Sequence, residues 1–240
     1  MVYGTAIIWT DGDIMHFEIL TEDISGKKLL EALLPGILGN NGDPHTWRII
    51  PYKGVGHIPR DLRGNPDPSK RLLLSQLPRL LAGYGNTYPE GMHNTIIVVV
   101  VDCDNKHCTE FLRELNQILN TCMSKPRTLF RLAIEECEAW LLGDRTAITK
   151  AYPRARKMIL DGYVQDSICG TWEKLADAIY PGGAAVLESK PYFEIGTVKC
   201  EWAEKIGPHI NIESNISYSF GKLRDGLRRF AGMTNTTGNV

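Results

Sequence analysis

The sequence lacks the patterns that mark extracellular, zinc-binding and membrane-spanning proteins. Its six cysteines form no CxxC pair and no zinc-like spacing. No signal peptide is recognisable before them, so free thiols in a reducing cytosol are the preferred interpretation. The longest apolar run, 96–101, is about a third of the roughly 20 residues that cross a bilayer. We therefore expect a cytoplasmic protein without a membrane span.

An excess of positive charge is also missing. Lys and Arg number 27 against 28 Asp and Glu, and the formal net charge is -1. Such a chain has no global field that attracts nucleic acid, so contact with DNA or RNA must use a local basic patch. GYGN around Gly83 is neither a P-loop nor a GxGxxG fingerprint, and Ser25 and Ser75 have no evident His and Asp partners. ATP-driven work would therefore need a partner protein.

What the sequence contains is an alternation of strand and helix patterns, which predicts an α/β fold. With 43% hydrophobic residues in 240, the chain can bury a substantial core. The predicted strands are 4–9, 15–20, 47–52, 94–101 and 127–134, and the helices between them are 25–39, 71–84, 108–122 and 135–143. An Asp-Gly pair between the first two strands is a hairpin signal. The β-branched run at 94–101 indicates a strand buried on both faces, hence a mainly parallel central sheet.

Helical patterns dominate the remainder of the chain, at 171–180, 198–210 and 219–232. We therefore expect an α/β domain over 1–145 and a helical C-terminal extension over 146–233 that packs on it. Residues 234–240 are expected to form a flexible tail.

The carboxyl end of the central predicted strand carries Asp102 and Asp104. Ligands bind at this end of the strands in α/β folds, and residues two apart on an extended segment point the same way. Two converging carboxylates suit a hard divalent cation such as Mg²⁺. A solvated loop or a helix N-cap explains them as well, and Lys106 or His107 could instead neutralise them.

Two further acidic groups follow predicted strands. Glu22 ends a strand just before a helix and could reach the same sheet edge, whereas Glu18 alternates within that strand and is expected to face solvent. Asp23 could share the role of Glu22 or act as a turn or cap residue. The second group comprises Glu135, Glu136, Glu138 and Asp144. If a helix begins there, Glu135 and Glu138 lie on one face, although acidic residues in a first turn also complement the helix dipole.

These blocks together resemble a known family. Glu22 at a strand-to-helix turn, a strand ending in Asp102 and Asp104, and the later Glu138-Ala-Trp motif are similar to a bacterial Toprim-like domain-of-unknown-function family. That family is related to OLD-type Toprim nucleases and is typically encoded beside AAA-type ATPases in mobile or phage-defence loci. The resemblance extends through 52–58, 138–144, 200–210 and 215–227. One departure is Asp23, which stands where Toprim domains usually have Gly.

The resemblance implies a Mg²⁺- or Mn²⁺-dependent nuclease with a Toprim-like α/β catalytic domain. Asp102 and Asp104 would hold the metal, Glu22 would be a general acid or base or a second metal ligand, and Glu138 would complete a second metal position. Lys53 would lie against the phosphate, or it is an ordinary exposed lysine. DNA or RNA and an AAA-type ATPase would be the partners, and the oligomeric state is open.

Three other basic residues, His57, Arg60 and Arg63, lie on the same Gly- and Pro-rich loop as Lys53. They could form the local basic patch that the composition lacks globally, or they are solvated loop charges.

Two alternatives to the nuclease remain at this point. The chain could be a catalytically inactive Toprim-like sensing or partner-binding module, in which Lys106 or His107 fills the acidic pocket. It could also be a magnesium-dependent phosphatase with a deep, narrow pocket for a small substrate.

Overall fold

A computed structural model of the chain describes residues 14–59, 67–90, 93–167 and 170–233. Within these residues four strands form one sheet in the order β2-β1-β3-β4, and every neighbouring pair is parallel. The strands are β1 His16–Thr21, β2 Thr46–Pro51, β3 Thr95–Asp102 and β4 Thr128–Ala133. The predicted α/β class with a parallel sheet flanked by helices is confirmed. The predicted strand at 4–9, its hairpin turn and the tail at 234–240 lie outside the described residues.

Helices connect the strands and make up the C-terminal part of the chain. Those between and after the strands are α1 Ile24–Leu38, α2 Leu73–Thr87, α3 Cys108–Asn120 and α4 Glu138–Leu142. Further along lie α5 Arg145–Ala151, α6 Lys157–Asp161, α7 Thr171–Ile179, α8 Ala184–Glu188, α9 Tyr192–Ile206 and α10 Tyr218–Phe230. The sequence patterns missed α5, α6 and α8, which are short. No helix in the described part of the chain is long and apolar enough to span a bilayer.

The order of the strands creates a switch point between β1 and β3. The chain moves from β1 through α1 to β2 on one side, then returns through α2 to β3 on the other side of β1. Because parallel crossovers are right-handed, this reversal puts α1 and α2 on opposite faces of the sheet. Their connections diverge at the carboxyl ends of β1 and β3, which is where open α/β sheets bind ligands.

Both faces of the sheet are buried, as the apolar run of β3 predicts. Ile96, Val98 and Val100 pack in the cluster that contains α1, whereas Ile97, Val99 and Val101 pack in the cluster that contains α2 and α3. Successive side chains of a strand point to opposite faces, so an unbroken run of apolar residues serves two cores.

The C-terminal helices complete the layer on the α1 face. Helix α9 packs along α1, and α10 contacts both α1 and β4. Trp202 of α9 and Phe220 of α10 are buried in the same hydrophobic cluster as Phe17 of β1. This packing brings the polar flank of α9 to the carboxyl edge of the sheet.

The expectation that Glu18 faces solvent is wrong. Glu18 is only 3% exposed. Its Oε2 accepts a hydrogen bond from Arg48 Nε at 2.9 Å, and Arg48 donates from a second nitrogen to Oε1. Strand β1 lies between β2 and β3, and helices cover both faces of the sheet. Side chains on either face of β1 are therefore shielded from solvent. The charge of Glu18 is instead matched by a partner on the adjacent strand.

Candidate functional site

Three adjacent strands end in acidic residues at one edge of the sheet. Glu22 follows β1 directly, Asp102 is the last residue of β3, and Glu136 and Glu138 follow β4. Because all the strands are parallel, their carboxyl ends meet at this edge. We call these four residues the acidic cluster.

Hydrogen bonds through Asp102 connect the members of the cluster. The backbone N–H of Asp102 donates to Oε2 of Glu22 at 3.4 Å. Asp102 in turn accepts at Oδ1 from the backbone N–H of Cys137 at 3.1 Å. Asp102 thus joins the turn after β1 to the segment that carries Glu136 and Glu138.

A lysine from the C-terminal helices lies among these carboxylates. Lys199 of α9 places its Nζ 3.2 Å from Oε2 of Glu138 and 3.5 Å from Oε1 of Glu136. Its side chain is 14% exposed. Burial opposes a charged ammonium there, but Glu138 and Glu136 raise the pKa of Lys199 well above its ordinary value. Lys199 therefore carries a positive charge in the cluster.

One lysine does not neutralise the cluster. Burial, with smaller contributions from Asp104 and Asp23, raises the pKa of Glu22 to about 7. Burial and the neighbouring Glu138 raise the pKa of Glu136 to about 8. Burial, then Glu22 and Glu138, raise the pKa of Asp102 well above its ordinary value. Each of these shifts means that the ionised carboxylate is poorly solvated at this edge, so the folded protein holds protons here that free carboxyl groups would have lost.

One oxygen of the cluster has no hydrogen bond from the described residues. Oε2 of Glu138 is buried, and although Lys199 Nζ lies 3.2 Å away, the geometry is not that of a hydrogen bond. The charged Lys199 ammonium, 3.2 Å away, offsets part of the cost of burying this acceptor.

The donor atoms at this edge are the type that Mg²⁺ and Mn²⁺ prefer, since they are all carboxylate oxygens. In the described ranges, however, no group of three or more His, Cys, Asp or Glu side chains is arranged to hold a metal ion. The cluster therefore matches a hard divalent cation in donor type but not in the arrangement of its side chains.

Asp104 is placed differently from Asp102. Strand β3 ends at Asp102, and Asp104 lies in an exposed turn with a left-handed φ of 45°. Its backbone N–H donates to the carbonyl of Glu135 at 3.0 Å. The prediction that Asp102 and Asp104 point the same way assumed that the backbone is extended through both residues. Because the chain turns after Asp102, the backbone is not extended at Asp104. Asp104 borders the cluster at the outer end of the turn.

Three other acidic residues cap helices. Asp23 is the N-cap of α1, where its Oδ1 accepts from Gly26 N at 2.8 Å, so the cap interpretation is confirmed. Asp144 caps α5, and Glu135 accepts from the backbone N–H of Thr171 at the start of α7 at 2.8 Å. Because α4 begins only at Glu138, Glu135 does not share a helical face with it. Trp140 is fully buried, as expected of a core residue.

The predicted basic loop adjoins the cluster through its backbone. Gly54 N donates to the carbonyl of Glu22 at 2.9 Å, which places Lys53 at the same sheet edge. The Lys53 side chain is exposed and, among the described residues, forms no ion pair with the acidic cluster. His57 is also exposed, whereas Arg60 and Arg63 lie outside the described residues.

In the part of the chain that the structure describes, neither of the basic residues predicted to neutralise the acidic pocket forms an ion pair with the cluster. Lys106 Nζ lies 3.9 Å from the centre of the Phe111 ring, and His107 is the exposed N-cap residue of α3. The lysine that pairs with the cluster is instead Lys199, which contacts Glu136 and Glu138 and which sequence reasoning missed. A signal existed: Lys199, Trp202, Ala203 and Ile206 recur at the spacing of one helical face. A lysine on the buried stripe of a helix needs a buried partner.

Comparisons of the chain with protein-family models, curated proteins and solved structures give no match. In the described part of the chain, this is an α/β protein with a parallel sheet and a partly buried acidic cluster at the carboxyl edge of that sheet. The resemblance to Toprim-like proteins stays a prediction from the sequence motifs.

Proposed function

We propose that this protein is a Mg²⁺- or Mn²⁺-dependent nuclease of the Toprim-like type, which hydrolyses phosphodiester bonds at the carboxyl edge of its sheet. The observation that carries the proposal is the acidic cluster itself. Four carboxylates from three adjacent strand ends lie around one lysine, and burial raises the pKa values of Glu22, Asp102 and Glu136 because ionisation places poorly solvated negative charge there. A hard divalent cation offsets such a charge better than a second proton at neutral pH.

Glu22, Asp102 and Glu138 would hold the ion, with Asp104 close enough on its turn to contribute after a local rearrangement. A bound ion of this kind supplies an activated water and stabilises charge on the leaving oxygen. Glu22 itself is suited to proton transfer, because its pKa of about 7 lies near neutral pH. Its Oε2 accepts from Asp102 N, and its other oxygen, Oε1, would hold the proton.

Two lysines would support the reaction in different ways. Lys199 orients Glu136 and Glu138 through its ion pairs. Lys53 lies at the same edge with an exposed side chain and would contact a phosphate of the bound strand. By resemblance, the substrate is DNA or RNA, the setting is phage defence or control of a mobile element, and an AAA-type ATPase is the partner.

The first test separates metal binding from cleavage. Mn²⁺ affinity is measured on wild type, Asp102→Asn, Glu22→Gln and the exposed control Glu201→Gln, followed by Mg²⁺- and Mn²⁺-dependent cleavage of labelled single- and double-stranded DNA and RNA. We expect the Asp102 and Glu22 variants to lose more than about 100-fold in affinity and to lose cleavage, because direct ligands contribute at least as much as the groups that support them. The control should match wild type. Cleavage that persists in Asp102→Asn at the wild-type rate would contradict the proposal.

A second candidate function is favoured by Lys199. An inactive sensing module is expected to neutralise its acidic pocket with a basic side chain, and Lys199 pairs with both Glu136 and Glu138. A folded wild-type protein that neither binds Mn²⁺ nor cleaves any of the four substrates, with or without the candidate ATPase, would favour this module over the nuclease.

A further inference from the structure

Two thiols lie in contact in the turn that follows β3. The sulfur atoms of Cys103 and Cys108 are 2.8 Å apart, and both cysteines are free. Cys103 directly follows the last residue of β3, and Cys108 is the first residue of α3. Among the described cysteines, this is the pair whose sulfur atoms touch; Cys169 lies outside the described residues.

The backbone holds both thiols in place. Cys103 N donates to the carbonyl of Ala133 on β4 at 2.9 Å, and Cys103 Sγ lies 3.2 Å from the carbonyl of Lys106. Cys108 is fixed by the first turn of a helix of 13 residues. The contact is therefore set by the end of a strand and the start of a helix, two regular elements.

We propose that Cys103 and Cys108 form an oxidisable dithiol, a modification site that a peroxide converts into an intrachain disulfide. Cys108 is half-buried and can be reached by a small oxidant, whereas Cys103 is only 1% exposed. Cys108 is accordingly the thiol that reacts first, and Cys103 is the one that resolves the product.

The chemistry balances with hydrogen peroxide as the oxidant. The Cys108 thiolate attacks one peroxide oxygen, the O–O bond breaks, and hydroxide leaves, so that Cys108 becomes a sulfenic acid. The Cys103 sulfur then attacks the Cys108 sulfur. The S–S bond forms, the S–O bond breaks, and the hydroxyl group leaves with the Cys103 proton as water. Both sulfur atoms are oxidised and both peroxide oxygens are reduced.

The disulfide would close the loop 103–108, which carries Asp104 and begins next to Asp102. Oxidation thus acts on the turn that borders the acidic cluster, whatever reaction that cluster supports. The site is independent of the proposed nuclease activity and can be tested without it.

The experiment treats the full-length protein with hydrogen peroxide in the presence of a chelator, which prevents metal-catalysed oxidation. Remaining thiols are alkylated, and tryptic peptides are analysed by mass spectrometry without reduction. Trypsin cleaves after Lys106, between the two cysteines, so a disulfide leaves their peptides joined. We expect the joined Cys103–Cys108 peptide in most of the oxidised protein and its disappearance after reduction.

Variants distinguish this site from general oxidation. Cys108→Ser should give no joined peptide, and Cys103→Ser should leave a sulfenic acid at Cys108 that dimedone traps. Cys122→Ser changes a buried cysteine just beyond the C-terminal end of α3. This variant should form the joined peptide at the wild-type rate. Circular dichroism checks that each variant is folded. The proposal is overturned if wild type gives no joined peptide, or if disulfides between two chains form in preference.

Discussion

Lys199 is the cation that pairs with the acidic cluster, and the sequence of its own helix does not show which residues it pairs with. Its side chain is 14% exposed and contacts two carboxylates that follow β4. Removing one partner from a buried ion pair leaves the remaining charges unpaired in a medium that solvates them poorly. A second lysine of α9, Lys205, pairs with Glu201 at the surface, where both side chains are about half exposed. Lys205 is therefore an exposed control for Lys199 on the same helix.

We predict that Lys199→Met destabilises the protein by about 3–5 kcal/mol at about pH 8, because Glu136 and Glu138 lose their cation. Lys205→Met should cost no more than about 1 kcal/mol, since exposed ion pairs contribute little. Urea unfolding of both variants, in the presence of a chelator, measures the difference. Equal losses for the two lysines would show that Lys199 has no special role in the cluster.

The same variant should respond to pH in a defined direction. Glu136 has a folded pKa raised from 4.5 to about 8, so between these values the folded state holds a proton that the unfolded state has released. Stability therefore falls as pH rises through this window, and at about pH 5 the carboxyl is neutral and needs no partner. The loss in Lys199→Met should accordingly be smaller at about pH 5.5 than at about pH 8. A loss that does not change with pH would contradict this account.

Helix α2 packs closely at Gly85 on the loop that connects α3 to β4. A Cβ atom at Gly85 would overlap the backbone carbonyl of Ser124 in the connection between α3 and β4. Ser124 Oγ also donates to the carbonyl of Gly85 at 2.7 Å. The backbones of the two segments lie so close together that a side chain does not fit at position 85. Gly83, two residues earlier in the same helix, is exposed, and the space that a Cβ atom would occupy there has no described atom within 4 Å.

We predict that Gly85→Ala lowers the free energy of unfolding by about 1–3 kcal/mol, because backbone atoms must move to admit the methyl group. Gly83→Ala should be neutral or stabilise the protein by up to about 1 kcal/mol, since alanine favours a helix interior. Thermal and urea unfolding of the two variants provide the measurement. If both substitutions stabilise the protein, α2 does not pack on the loop as described.

The whole molecule has a core that crosses the predicted boundary at 145. Phe17 of β1, Leu33 of α1, Trp202 of α9 and Phe220 of α10 belong to one hydrophobic cluster. Helix α9 also contributes Lys199 to the carboxyl edge of the sheet. The C-terminal helices therefore complete both the core and the candidate site.

We predict that the full chain unfolds in a single transition. A shared core makes the separate unfolding of residues 146–233 costly, because it would expose the apolar face of α1 and the sheet. Urea titration followed by far-ultraviolet circular dichroism and by tryptophan fluorescence should give coincident curves. Two separated transitions would instead indicate a helical part that folds independently.

The amino-acid pattern alone was enough to predict the fold class, the described strands and most of the longer helices. The apolar run of β3 and the alternation of strand and helix patterns were sufficient for a parallel α/β sheet, because burial on both faces excludes polar residues. They also located Glu22 and Asp102 at strand ends and Glu138 in the segment that follows β4. Local patterns carry this information because periodicity reflects which face of an element is buried.

Which charged side chains pair with each other depends on how the elements pack. Glu18 pairs with Arg48 on the neighbouring strand, Glu135 caps a helix that begins 36 residues later, and Lys199 of α9 reaches Glu138 of α4. A charged residue has the same local pattern whether it faces water or a buried partner. Its partner is set by the packing of whole elements, and the acidic cluster with its single lysine exists only once α9 has docked against α1.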